Sequence, residues 1–218
     1  EFRKIKNVNE KINYLKNFQE KFPDSEYLVN MYDLVANAFR DAKEYEKALT
    51  FLKKNKNHVS TFRFYSVVNR MREENDDMNT ALQISKLGEE RNRQEVANPN
   101  DKKPEFYSNS EWQQDREYML GMNLFVHGEV LYNLKQRNES IPELEEALRY
   151  TKSKEGEVNE LYSKLLVENR NYSKAMNVIG DFIKMGSGTE KMKDYLREAY
   201  LKENGNTDGF NDYLSKYE

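Results

Sequence analysis

Two histidines and no cysteine leave this 218-residue chain little from which to build a nucleophile, a redox pair or a metal site. His127 stands one residue before Gly128 in an apolar helical pattern, where a packed, hydrogen-bonded imidazole is expected. His58 falls between two helical segments, where water should surround it. A transition-metal site needs several nitrogen, sulfur or carboxylate ligands at fixed spacing, and the sequence holds no such run. Carboxylates are plentiful, with 38 Asp and Glu against 35 Lys and Arg. They are interspersed as on solvated helix faces and are not set in pairs for proton transfer. Glycine-rich phosphate loops and nucleophile elbows are absent from the sequence. The chemistry left is recognition, so no catalytic residue, cofactor or metal is expected.

The elements that would present such side chains follow from composition. A third of the residues are charged, 37% are hydrophobic, and Gly and Pro number only nine and four. Lys, Glu, Asn, Leu, Ala and Tyr dominate over the β-branched alternation of strands, so the chain reads as all-α. So much charge argues against one thick core and for an elongated stack, although 218 residues can bury roughly 70% of the unfolded surface. A net charge of -3 with mixed signs disfavours nucleic acid. No apolar run approaches the length of about 20 residues that spans a bilayer. A start at Glu1 without Met fits a trimmed or processed chain.

Internal repeats set the order of the elements. Segments from Tyr32, Leu124 and Asn159 share one pattern: a small residue (Ala36, Gly128, Ser163), a larger apolar one three places on (Phe39, Leu131, Leu166), and a polar turn. A second small residue (Ala48, Ser140, Ala175) follows twelve after the first, and a weaker copy runs from Asn69 to Ala81. Small residues at that spacing let two consecutive helices approach closely. With Tyr45 and Tyr172 three residues before Ala48 and Ala175, the pattern resembles the tetratricopeptide repeat. The resemblance implies a right-handed superhelical solenoid of helix-turn-helix pairs, about eleven helices forming one domain over 1–218. Repeats are expected at about 26–57, 59–97, 111–152, 155–185 and 188–218.

Ala81 and Ser140 lie nearly two periods apart. An insertion loop at about 98–110, with Pro99 and Pro104 among Asn, Asp and Ser, fills the gap. Its flanking helices should lengthen to about Asn79–Val96 and Ser110–Lys135, an elongated hairpin in mid-chain. Ile5, Val8, Ile12, Leu15 and Phe18 mark a first helix, Asp24 or Ser25 caps the next, and helices near Thr189–Glu203 and after Gly209 close the chain.

In the tetratricopeptide family the concave face is lined by first helices. Mapped here, the resemblance implies partner contacts from Asn30, Asp33, Asn37 and Arg40, then Arg63, Ser66 and Arg70, then Phe125, Glu129 and Tyr132, then Glu160 and Lys164. Asn37 matches the Asn of a carboxylate clamp but Asp33 stands where a Lys is wanted, so docking of an extended peptide or a domain is expected. Phe106, Tyr107 and Trp112, the one tryptophan, either pin the inserted hairpin, contact a partner or drive self-association.

Two stretches carry a narrower likeness. Lys103–Glu105, Glu111–Trp112 and Leu120–Gly121, with Gly205, Gly209, Phe210, Tyr213 and Leu214, resemble the helical-repeat region upstream of the thioredoxin-like domain in extracytoplasmic TlpA-like bacterial proteins. That likeness implies a periplasmic or envelope setting and an interaction platform within a longer thiol-disulfide oxidoreductase. Without it, a cytoplasmic adaptor fits equally. The Cys-x-x-Cys of that family is missing from this sequence, and no redox residue carries over.

Overall fold

Helices cross where the small residues stand. The computed structural model describes residues 1–98 and 103–218, and among them it shows one 3-10 turn at Phe2–Lys4, eleven α-helices and no strand. The helices are α1 (Val8–Lys21), α2 (Tyr27–Asp41), α3 (Tyr45–Lys54), α4 (Thr61–Glu74), α5 (Met78–Ala97) and α6 (Asn109–Asn133). There follow α7 (Arg137–Thr151), α8 (Gly156–Glu168), α9 (Tyr172–Lys184), α10 (Glu190–Asn204) and α11 (Phe210–Leu214). Contacts gather into two compact units, Glu1–Val130 and Leu131–Glu218, so the boundary falls inside α6.

In the first unit α2 packs on α3 and α4, α3 on α5, and α4 on α5. In the second, α8 packs on α7, α9 and α10, and α9 on α10. Opening helices thus touch the next opening helix and closing helices the next closing helix, which is the tetratricopeptide-like pairing. Ala36, Ala48 and Ala81 in the first unit, and Ser140, Ser163 and Ala175 in the second, are all fully buried. With such side chains at the crossings, axes can approach to about 8 Å, and Phe64, Val67, Val68 and Met71 fill the space beside them on α4. Each of these four adds about 1.5–3 kcal/mol by leaving water.

The turns repeat as closely as the crossings. Lys43, Asn75, Lys135, Lys152 and Arg170 all have φ between 52° and 65°, in the left-handed region. In each case the next amide reaches back five residues: Glu44 to Phe39, Asp76 to Met71, Gln136 to Leu131, Ser153 to Leu148 and Asn171 to Leu166, at 2.9 or 3.0 Å. This is the Schellman arrangement that satisfies orphan carbonyls at a helix end. Glycine usually takes that position; here Lys, Asn and Arg do, at a conformational cost of about 1 kcal/mol each.

The inserted hairpin has the expected long arms, within two residues at every end. Part of its loop, residues 99–102 with Pro99, lies outside the described residues. The α6 start is capped two residues upstream of the expected Ser110: the Ser108 amide donates to Glu111 Oε2 at 3.0 Å and the Glu111 amide to Ser108 Oγ at 3.2 Å. Arg116, buried, donates to the carbonyls of Glu95 (2.6 Å) and Asn98 (2.8 Å), closing the end of α5. Deeper in, Asn123 Nδ2 donates to Asn92 Oδ1 at 2.6 Å between two fully buried amides.

Candidate functional site

Residues spaced 62, 65, 66, 69, 70 and 73 share one face of α4, and the end of α2 lies beside it. Between them is a cleft of about 490 Å³. Arg40, Asp41 and Lys43 form one wall and Phe62, Tyr65, Ser66, Asn69, Arg70 and Glu73 the other. Phe62 is 44% exposed, and its ring centroid is 5.9 Å from that of Tyr65. Phe62 is thus a large apolar ring left open on a helix face, tilted against a half-buried Tyr65.

Ion pairs hold the cations in place. The Arg40 guanidinium donates to Asp41 Oδ1 at 2.9 and 2.7 Å and to Ser66 Oγ at 2.5 Å. Glu74, just beneath the rim, pairs with Lys43 at 2.9 Å and Arg70 at 2.7 Å and accepts from Tyr45 Oη at 3.0 Å. The Lys43 contact leads the effects that hold the Glu74 carboxyl below the ordinary carboxylate range. Burial, then Glu74 itself, pushes the Tyr45 hydroxyl up to about 12. Arg70 remains half-exposed over the cleft, free to add an acceptor from a ligand.

The groove mapped from the repeat is only partly here. Arg40, Ser66 and Arg70 line the cleft. Asn37 and Arg63 sit beside it, engaged with each other at 2.9 Å. Asn30 is exposed at the other end of α2, next to Met31 and Leu34 at an apolar cleft below Phe2.

Two assignments are overturned. Asp33 is buried; it accepts from the Ser60 amide (2.9 Å) and hydroxyl (2.6 Å) and pairs with Arg63 at 3.1 Å, so it caps α4 from a neighbouring helix and faces no ligand. Phe125 is 1% exposed, beneath the Arg72 guanidinium, whose carbon lies 4.9 Å from the ring centre. It is core. Arg72 also pairs with Glu129, which ties that residue down.

In the second unit Tyr132 Oη donates to Glu168 at 3.0 Å under Lys164 Nζ, 5.0 Å above the ring. The Tyr132 contact also raises the Lys164 pKa. Glu160 pairs with Lys191 at 2.9 Å.

The insertion aromatics form a ladder. Phe106 to Tyr107 is 4.8 Å, Tyr107 to Trp112 is 5.3 Å, and the Arg116 guanidinium lies 4.4 Å above the Trp112 ring. Trp112 is half-buried and Phe106 is 83% exposed. Neither histidine lines the α2/α4 cleft. His127, 5% exposed, contacts Glu89 at 2.7 Å, and exposed His58 stacks on Tyr32 at 5.1 Å. Burial pushes the Glu89 carboxyl up, but its bonds with His127 and Arg93 outweigh that and hold it below the ordinary range.

No protein-family model matches the chain, and no curated protein matches it. Among solved structures, the TPR2AB domain of yeast Sti1 in complex with pHSP90 is similar over 97% of this chain and 92% of that one, at 12% identity and a TM-score of 0.28. The ground for the fold is therefore the helix pairing, the buried small residues and the shared turns.

Phe62 is the residue the repeat offsets passed over. A signal for it was present: Phe62, Ser66, Asn69 and Glu73 fall at steps of three and four, one apolar position on an otherwise polar stripe.

Proposed function

We propose that this chain is a non-catalytic interaction scaffold that holds an extended peptide or a partner's exposed segment in the α2/α4 cleft. The observation that carries the reading is the exposed Phe62 ring, set against half-buried Tyr65 beside Arg70 and Arg40 on two packed helices. Aromatic side chains supply contact area at low entropic cost, and arginine adds directional donors for backbone or side-chain carbonyls. Rigid helices beneath them reduce the ordering cost of binding.

The test is selection of peptides from a phage-displayed library of random dodecapeptides, followed by calorimetry on synthetic copies. Phe62→Ala with Arg70→Glu should weaken the selected peptides at least tenfold, while the urea midpoint stays near that of the parent chain. Failure to enrich any peptide, or unchanged affinity in the double variant, refutes the cleft.

A second reading rests on the resemblance of Lys103–Gly121 and the Gly205–Leu214 ending to the region preceding a thioredoxin-like domain. In it the chain is the docking part of a bacterial envelope thiol-disulfide oxidoreductase. The intact mass of the natural protein separates the two: about 26 kDa supports a self-contained adaptor, and a mass larger by a domain containing Cys-x-x-Cys supports the oxidoreductase.

A further inference from the structure

The last turn of α10 and the connection to α11, residues 201–209, are exposed throughout. They hold the one asparagine of the chain that a glycine follows, Asn204 before Gly205. We infer that Asn204 is a site of spontaneous covalent modification, losing its side-chain amide through a succinimide, and that the product releases α11 from the end of α10.

The reaction needs only water. The Gly205 amide nitrogen gives up its proton and attacks Asn204 Cγ. An N–Cγ bond forms, the Cγ–Nδ2 bond breaks, and Nδ2 leaves as ammonia with that proton. Water then opens the ring at either carbonyl carbon. Opening at Cγ leaves an aspartate; opening at the main-chain carbonyl leaves an isoaspartate, whose backbone runs through Cβ and Cγ.

Three observations carry it. First, the nucleophile is unscreened: Gly205 has no side chain, and nothing stands within 4 Å of where its Cβ would be. Every other asparagine precedes a residue whose side chain crowds this approach. Asp208 also precedes a glycine, but it offers a carboxylate, a poorer electrophile than a carboxamide.

Second, the helix end slows the reaction without closing it off. The Gly205 amide donates to the Leu201 carbonyl and Asn204 Nδ2 to the Tyr200 carbonyl, both at 2.9 Å, so both reacting groups are tied until the last turn opens. A hydrogen bond from Ser173 Oγ to Glu203 Oε1 at 2.6 Å, itself exposed, ties that turn to α9. An exposed helix end held in this way opens at small cost.

Third, the modified residue sits beside the anchor of α11. The Tyr200 ring lies 5.6 Å from that of Phe210 and 5.3 Å from that of Tyr213, and its hydroxyl donates to the Asp208 carbonyl at 2.9 Å. A carboxylate at Asn204 loses the donor to the Tyr200 carbonyl and sets negative charge at the negative end of the helix dipole. An isoaspartate also lengthens the main chain between Tyr200 and Asp208 and draws Gly205 away from Leu201, so Phe210, buried at 9% exposure, loses its seat.

The experiment incubates the full chain at neutral pH beside a synthetic peptide of residues 203–216, the fragment that trypsin releases. Mass spectrometry locates the new acid, and methyl transfer from S-adenosylmethionine by an isoaspartyl methyltransferase reports the isoaspartate. Asn204 should convert to two products separable by chromatography, about tenfold more slowly than in the peptide, because two hydrogen bonds must open first. Ser173→Ala should speed the reaction about twofold, and Asn204→Gln, which carries the amide on a longer arm, should stop it. In the isoaspartate form, isolated by ion exchange, the amides of residues 210–214 should exchange hydrogen about tenfold faster than in the fresh chain. If Asn204 is still intact after an incubation well over tenfold longer than the peptide needs, the modification is overturned. Unchanged exchange at residues 210–214 in the isoaspartate form overturns the release of α11.

Discussion

Adding one methyl group to α5 should unfold the first unit more easily. Gly88 lies midway along that helix, and a Cβ built there would stand 2.5 Å from Asn123 Oδ1 and 2.6 Å from Phe64 Cβ. The first neighbour is the end of a side chain, but it is fully buried and its amide nitrogen is committed to Asn92. The second is fixed to the α4 backbone and cannot rotate away. Gly88→Ala must therefore move α4 or α6, and with both contacts under 3.0 Å the overpacking cost falls in the upper part of its range, about 2–3 kcal/mol. Alanine recovers about 1 kcal/mol of helix propensity. Packing wins, and the net loss should be about 1–2 kcal/mol. At a urea slope of about 2 kcal/mol per molar, the midpoint falls by about 0.5–1 M. Trp112, the only tryptophan, lies in this unit and reports its unfolding by fluorescence. Gly156→Ala supplies the opposite case. It opens α8 with nothing within 4 Å of a new Cβ, so the same change should hold or raise stability by a few tenths of a kcal/mol, followed by circular dichroism. If Gly88→Ala is as stable as the parent chain, α4, α5 and α6 do not pack as described.

Other outcomes follow from the same contacts. Phe125→Ala should cost about 3–5 kcal/mol in urea, because it empties a core position; a loss no larger than 1 kcal/mol would mean the ring is at the surface. Arg170→Gly relieves a φ of 58° at an exposed turn and should add about 0.5–1 kcal/mol, seen as a raised midpoint by circular dichroism. Tyr45 should shape the alkaline limb. Its pKa is raised in the fold, so its contribution to stability is complete below pH 10 and is lost as pH climbs from 10 through about 12. Tyr45→Phe should therefore lose less stability than the parent chain between those values, in urea midpoints measured across the range.

The repeat was legible because it is local. Ala36 with Ala48, Ser163 with Ala175 and Asn69 with Ala81 each fix a helix, a turn and a helix within one short window, and every pair fell in a helix-turn-helix hairpin. His127 was legible for a similar reason, since an apolar helical pattern on both sides buries whatever it encloses. The Ser108 cap was also readable, as Ser-x-x-Glu at Ser108–Glu111, but the nearby Ser110 competed for the same role. Contacts between distant residues were not legible. Whether Asp33 faces solvent or Ser60 depends on how α2 meets the start of α4, 27 residues away. Phe125 was misplaced because repeat offsets assume regular neighbours, whereas α6 lies beyond an insertion and meets Arg72 of α4.

That same irregularity explains a recess at the start of α4, next to the α2/α4 cleft. A hairpin with arms of 20 and 25 residues must satisfy its own ends. Arg116 does so by turning inward to the α5 carbonyls, and Trp112 follows, stacked on the guanidinium. This draws the indole toward the start of α4, where it faces Phe62 and Val29 across a cavity that a regular repeat would not create. The same pair, Arg116 and Trp112, thus closes the end of α5 and lines the recess. Arg116→Lys separates structure from recognition: it keeps the charge but loses the planar face over Trp112 and the paired donation to Glu95 and Asn98. If the recess depends on that stack, the variant should shift the Trp112 emission to the red under native conditions, before any urea is added. An unchanged emission maximum would mean that Trp112 is held by Tyr107 and α6 alone, and that the recess exists independently of how α5 ends.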